Sequence, residues 1–408
     1  MIKRFPVLLQ LRNTLAWNII GLSLGLVAGV LTARLLLPQG KGLLSLVLSM
    51  ISIVGLVAGM GTNVSVRVFL PRGSVSMGAF WLVSCLLAFV AGLASLCVVL
   101  GVGMLVDPTM LEWEKALVSV CLGVVMFLGN QLLDALNALG RTAYSAFLNA
   151  LVLMVVIVML MLYQLGGVTL LGVLLIYALA YSIRLAVALW SLRSDRLYSW
   201  AGAYSESGLL IKRGVPLLGL NVGQALTYRL DQFVLGAFRG SHEVGLYAVA
   251  ATPASAGQVI ANSVGQIVFR RVSTGEYGRA QALKWAALVL VSTGSFAAVL
   301  FVLAPWLVPF LFGPQYADSV SLLRLLVVAE VCLAPYMVLS RAAAGAKMIG
   351  VAAWSGIVGL SGMLLFLLIF VPVWGTAGAA LACIASYSAM TLFVVLAIRF
   401  GRWDPQAQ

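Results

Sequence analysis

Twelve apolar stretches follow one another through this 408-residue chain with gaps of only a few residues. Each is about 20 residues long, which as helix is what a bilayer core of roughly 30 Å requires. Only 9% of the residues are charged and 62% are hydrophobic, so no soluble fold could cover its surface with polar groups. The expected fold is therefore an all-α polytopic membrane protein. The predicted spans are 13–36, 43–66, 77–106, 116–138, 143–163, 168–191, 214–236, 244–269, 282–312, 319–340, 348–371 and 376–398.

The second half of the chain repeats the first. Ser52, Asn63 and Arg67 recur 203 residues later as Ser255, Gln266 and Arg270, and the same offset takes Asn18 to Asn221 and Gly42-Leu43 to Gly245-Leu246. Near the end of each half, Gly172 and Tyr181-Ser182 recur 206 residues on as Gly378 and Tyr387-Ser388. Six spans separate the paired elements, and an even number returns the chain to its starting side. Two parallel six-helix bundles are expected, residues 1–200 and 201–408, with a central cavity where they meet.

The net charge of +13 follows the positive-inside rule rather than a nucleic-acid signal. With the N-terminus in the cytoplasm, most of the 25 Lys and Arg fall on cytoplasmic segments, Arg67, Arg141, Arg184, Arg270 and Arg341 among them. The outer connections are short and net neutral. Both termini are thus expected in the cytoplasm, the chain crossing the membrane many times. Cys85, Cys97, Cys121, Cys332 and Cys383 all lie in spans without ligand spacing and read as small apolar residues. No metal or cofactor is expected.

Polar groups in hydrocarbon cost roughly 2.5 to 3.5 kcal/mol per charge on insertion scales, so their placement points to a protein interior or a wet slot. Three spans gather them on one helical face. The seventh carries Asn221, Gln224, Tyr228 and Asp231 with Arg229 beside them; the eighth carries Gln258, Asn262 and Gln266; the fourth carries Asn130 and Asp134. Two readings stand for each: hydrogen bonds that glue helices together, or the lining of a substrate cavity. Glu330, midway along the tenth span, has no cation near it in sequence and is a candidate proton or cation site. Arg34 sits at the outer end of its span, where it either snorkels or faces a ligand.

Enzymatic signatures are missing. The one histidine, His242, lies in a short external turn without a nucleophile beside it, and no P-loop or loop-borne carboxylate pair is present.

The run Arg229-Leu230-Asp231, Gly236, Gly240, Glu243-Val244-Gly245, Tyr247 and Ala250 resembles a signature of bacterial polysaccharide-biosynthesis flippases. Ala33-Arg34, Gly40 and Gly42-Leu43 repeat it in the first half. Pro372, Trp374-Gly375 and Ala377-Gly378-Ala379-Ala380-Leu381-Ala382 resemble that family's turn before the last span. The resemblance is to the oligosaccharide flippase branch of the multidrug/oligosaccharidyl-lipid/polysaccharide exporter superfamily, over essentially the whole chain. It implies a transporter that moves a polyprenyl-diphosphate-linked oligosaccharide to the outer leaflet by alternating access. Membrane lipids surround it, with the glycosyltransferases and polymerase of one pathway as its implied protein partners and no nucleic acid.

Arg229 is then the expected diphosphate contact, since a guanidinium holds two oxygens at once. Lipid II flippases of this superfamily carry several arginines in the first two spans. The first span here is apolar through its middle, which counts against lipid II as substrate. The alternatives are a cation-coupled drug exporter of the same fold and, from another class, a membrane glycosyltransferase or polymerase, which calls for longer external loops.

The charge distribution generates a topological prediction. In a cysteine-free background, a cysteine at Gly240 should react with an impermeant thiol reagent added outside intact cells, and one at Gly275 should not. The opposite labelling pattern overturns the orientation.

Overall fold

The computed structural model describes residues 4–163, 167–193, 203–401 and 403, and among these it contains α-helices and short 3-10 turns but no strand. The boundary expected at residues 200 and 201 lies outside the described residues. Nine helical stretches among the described residues are long and apolar enough to cross a membrane. Two of these are double. α1 (Arg4–Ala58) contains Leu37 at φ 58, ψ 176, and α13 (Ile349–Phe400) contains Gly375 at φ 56, ψ −129. Pro38 explains the first break, because a proline ring crowds the preceding residue out of the helical region. Each long helix therefore holds two of the predicted spans end to end.

Three spans expected to be continuous are broken. The second ends at Ala58, turns through Gly59–Gly61 with Gly61 at φ 72, and resumes as α2 (Thr62–Phe69). The seventh is α7 (Ala203–Thr227) and α8 (Leu230–Arg239), interrupted at Tyr228 and Arg229. After α9 (Ser241–Ala254) the eighth passes through a 3-10 turn, Ser255–Gly257, into α10 (Gln258–Ser273). Pro253 has no N–H to give the preceding turn, which weakens the helix just where it breaks. The predicted polar stripes of these spans are thus not single helical faces.

The remaining helices are α3 (Met77–Leu105), α4 (Trp113–Ala138), α5 (Thr142–Tyr163), α6 (Leu170–Leu192), α11 (Arg279–Phe312) and α12 (Ser319–Gly345). Close contacts divide the chain into two compact units: Met1–Leu36 with Leu43–Gly219, and Leu37–Gly42 with Leu220–Gln408. In the first, α4 packs against α2, α3, α5 and α6. In the second, α12 packs against α9, α10, α11 and α13. α4 and α12 carry the fourth and tenth predicted spans, so repeat mates occupy the same central place.

Outer faces are apolar. Leu93, Val291, Phe310 and Leu365 are exposed, whereas Phe80, Leu122, Tyr316 and Leu333 are fully buried. Exposed leucine and phenylalanine in this number suit hydrocarbon, not water. The protein is a multi-pass membrane protein.

Backbone detail supports the duplication. Leu37 and Gly240 are 203 residues apart and share an uncommon conformation, φ 58, ψ 176 and φ 84, ψ 176. Inside the second unit the two turns then meet reciprocally. A Cβ on Gly42 would stand 1.8 Å from Ser241 O, and one on Gly245 would stand 1.9 Å from Pro38 O. Those contacts exchange repeat mates, 42 with 241 and 245 with 38. Gly172 and Gly378 are also closely approached, by the Tyr163 side chain and by the Phe370 carbonyl.

Backbone-to-backbone approach at Gly42 and Gly245 leaves no flexible atom to yield. Gly245→Ala is expected to lower stability by about 2 kcal/mol or more through overpacking, read as a lower melting temperature in detergent. Gly21, with nothing within 4 Å of a built Cβ, should accept alanine with no loss, and equal melting of the two variants would contradict the crossing.

Candidate functional site

The second unit carries buried acid in a setting of neutral donors. Asp231 lies in the first turn of α8 and is 6% exposed. The Tyr247 hydroxyl, fully buried on α9, donates to its Oδ2 at 2.6 Å, and the backbone N–H of Gln232 donates to Oδ1 at 2.8 Å. Cys383 of α13 touches the same oxygen at 3.7 Å and the tyrosine hydroxyl at 3.3 Å. Three elements converge on one carboxylate because α8 is short and packs against both α9 and α13. At the far end of α8, Arg239 donates to Pro372 O at 2.7 Å beside the break at Gly375.

Glu330, half-buried on α12, is the second acid. Gln258, first residue of α10, donates from Nε2 to both of its carboxylate oxygens at 2.9 Å. The break at Ser255–Gly257 sets the direction in which α10 leaves, and so places this amide against α12. Asp231 and Glu330 lie within Coulombic range of each other. Tyr387 packs edge-on against Tyr228 with ring centroids 5.9 Å apart, close to the same acids.

The structure scatters the other residues expected in a site. Arg229, expected within a span, is exposed at the helix break and precedes α8, because the α7 ladder ends at Thr227. Tyr228 beside it is half-buried. The side chains of Asn221 and Gln224 lie outside the described residues. Asn262 is held by Arg341 of α12, which donates to its Oδ1 and, at 2.8 Å, to its backbone carbonyl. Gln266 is exposed one turn further on, and Arg34 is exposed on α1. In the first unit Asp134 of α4 pairs with Arg67 of α2.

Sequence reasoning missed four participants. Arg184 and Arg341 were both expected on cytoplasmic segments; instead they reach across to other helices, Arg184 at 2% exposure. Tyr247 stood out only within the resembling run and Cys383 only as a small apolar residue, since either is ordinary in an apolar span. Two long basic side chains several residues inside the helix ends were the available signal.

Residues 13–273, more than half of the chain, match the model of a family described as polysaccharide biosynthesis protein. No curated protein matches the chain in sequence. Several solved structures share the fold. A lipid II flippase, MurJ, in an inward closed conformation, aligns with a TM-score of 0.74 at 14% identity, over 96% of this chain and 87% of that one. A multidrug resistance MATE family transporter of the MOP superfamily, facing inward, gives 0.70 at 17% identity over 94% and 97%. The eukaryotic MATE transporter AtDTX14 gives 0.64 at 16% over 98% of each. The fold is that of this transporter superfamily.

The Asp231 cluster makes a direct prediction. Tyr247→Phe removes a buried hydrogen bond to a charged acceptor and should cost about 1.5 to 3 kcal/mol, measured as loss of thermal stability in detergent. Cys383→Ala, which removes only a weak sulfur contact, should cost less; the reverse order would mean that the tyrosine hydroxyl does not hold the carboxylate.

Proposed function

This chain belongs to the polysaccharide biosynthesis protein family, and from that premise we propose that it flips a polyprenyl-diphosphate-linked oligosaccharide across the bacterial cytoplasmic membrane. The observation that carries the reading is the family match over residues 13–273 on a transporter fold that aligns along nearly its whole length with a lipid II flippase. A diphosphate with several sugars does not cross hydrocarbon unaided, because its charges and hydroxyls would lose water without replacement. Arg229, exposed at a helix break, is the guanidinium we assign to the diphosphate, with Tyr228, Asn262, Gln266, Asp134 and Arg34 as further candidate contacts. Surface polysaccharide assembly, with its glycosyltransferases and polymerase, is the setting this activity implies, and both termini are read as cytoplasmic.

Glu330 is the residue we assign to ion coupling. Its hydrogen-bond partner is a neutral amide, and a carboxyl held that way can take up a proton or a cation without breaking an ion pair. Asp231, whose hydrogen-bond donors are also neutral, supplies a second charge nearby. A drug exporter is the second reading, favoured by the likeness to multidrug MATE transporters at a TM-score of 0.70. The transport itself separates the two.

Deleting the gene should cause a lipid-linked saccharide to accumulate on the cytoplasmic leaflet, and plasmid-borne wild type should clear it. Glu330→Gln, expressed and inserted at the wild-type level, should fail to respond to a proton or sodium gradient in reconstituted vesicles. Efflux of amphiphilic cations without any change in lipid-linked saccharide would overturn the flippase reading. Gradient-dependent flipping by Glu330→Gln would remove that residue from coupling.

A further inference from the structure

The first unit buries one charge that no acid of the described residues neutralises. Arg184 of α6 is 2% exposed. Its Nη1 donates to Asn149 Oδ1 at 3.1 Å, and its Nη2 donates to Asn130 Oδ1 at 2.9 Å and to Met126 O at 3.4 Å. The Tyr181 ring lies 4.6 Å from the guanidinium carbon, and Nε has no hydrogen-bond partner. Space is made for it: a Cβ on Gly129 would stand 2.7 Å from Nη2. Every partner is neutral, and a guanidinium does not give up its proton. A full positive charge therefore sits in a layer where carrying one costs roughly 2.5 to 3.5 kcal/mol.

Arginine has donors only, and this fixes the asparagines. Both Oδ1 atoms face the guanidinium, so both Nδ2 groups, with two N–H donors each, face away from it. Asn130 on α4 and Asn149 on α5 are exposed, although Arg184 behind them is not. Asn130 stands eight residues before the end of α4 and Asn149 seven after the start of α5, roughly 12 and 10 Å along the helix at 1.5 Å per residue. Lipid tails would leave those donors without acceptors. Adjacent amide donors polarised from behind by a buried cation are the chemistry that binds an oxyanion.

We propose that Asn130 and Asn149, backed by Arg184, form a phosphate-binding site on the first unit. It shares no residue with Arg229 or the Asp231 and Glu330 cluster. The proposal deepens the flippase reading, on which its lipid arm rests, because the oxyanion that reading supplies is a lipid diphosphate. Free pyrophosphate has the same chemistry and is the other source. Arg184 acts through the asparagines as a positioning residue, setting their orientation and polarity.

The test titrates the full-length protein in detergent with inorganic pyrophosphate and, separately, with a polyprenyl diphosphate. Arg184→Gln alone is insufficient, since it can unfold the unit. Asn130→Asp and Asn149→Asp carry the experiment: each keeps the hydrogen bond from Arg184 as an ion pair but replaces outward donors with a negative acceptor. The expected result is an unchanged or higher melting temperature with binding weakened about tenfold or more, near 1.4 kcal/mol. Unchanged binding in both folded variants, or no binding of either ligand by wild type, overturns the site. If wild type binds pyrophosphate in an Asn130-dependent way and the lipid no tighter, the site stands and the flippase reading loses support. Lipid binding that ignores both substitutions removes the site and leaves that reading intact.

Discussion

Hydrocarbon offers no hydrogen bonds, so a polar group that this chain carries into its spans is costly unless it meets a partner. The pairings follow from that rule. Asp134 takes Arg67, Asp231 takes Tyr247, Glu330 takes Gln258, and Arg341 takes Asn262. Each joins two helices that are not consecutive in a single rod. Some of these links are structural glue in the ordinary sense. What sets the second unit apart is that the acids Asp231 and Glu330 accept their hydrogen bonds from neutral donors.

Helix breaks are where this is arranged. A continuous helix would carry Asp231 and Tyr228 on one rod, with their directions set by the 3.6-residue period. The interruption at Tyr228 and Arg229 frees α8 to tuck Asp231 inside while Arg229 stays exposed. Pro253 and the turn Ser255–Gly257 do the same for Gln258, which begins α10 against Glu330. Breaks of this kind expose backbone groups and are tolerated only inside protein. Their positions therefore coincide with the polar clusters.

The repeat gives a second view of the same economy. Gly42 and Gly245 approach backbone carbonyls of each other's turns, and the conformation of Leu37 matches that of Gly240. A duplicated turn needs the same room in both copies, and only glycine supplies it. Not every polar residue has a mate in the other half: 206 residues on from Arg184 stands Met390.

Span number, the all-helical class, the membrane setting and the paired glycines were legible in the sequence, because hydrophobic length and a constant offset are properties of the chain read locally. Glu330 and Asp231 were legible as well, since an acid in an apolar run stands out wherever it points. The partners were not. Which face Asp231 turns inward depends on a break at Tyr228 that no motif marks, and Arg184 looked like an ordinary basic residue near a helix end until its depth and its asparagines were seen. Hydrophobicity decides which segments enter the membrane; side-chain direction, which only helix breaks and packing fix, decides which polar groups meet there.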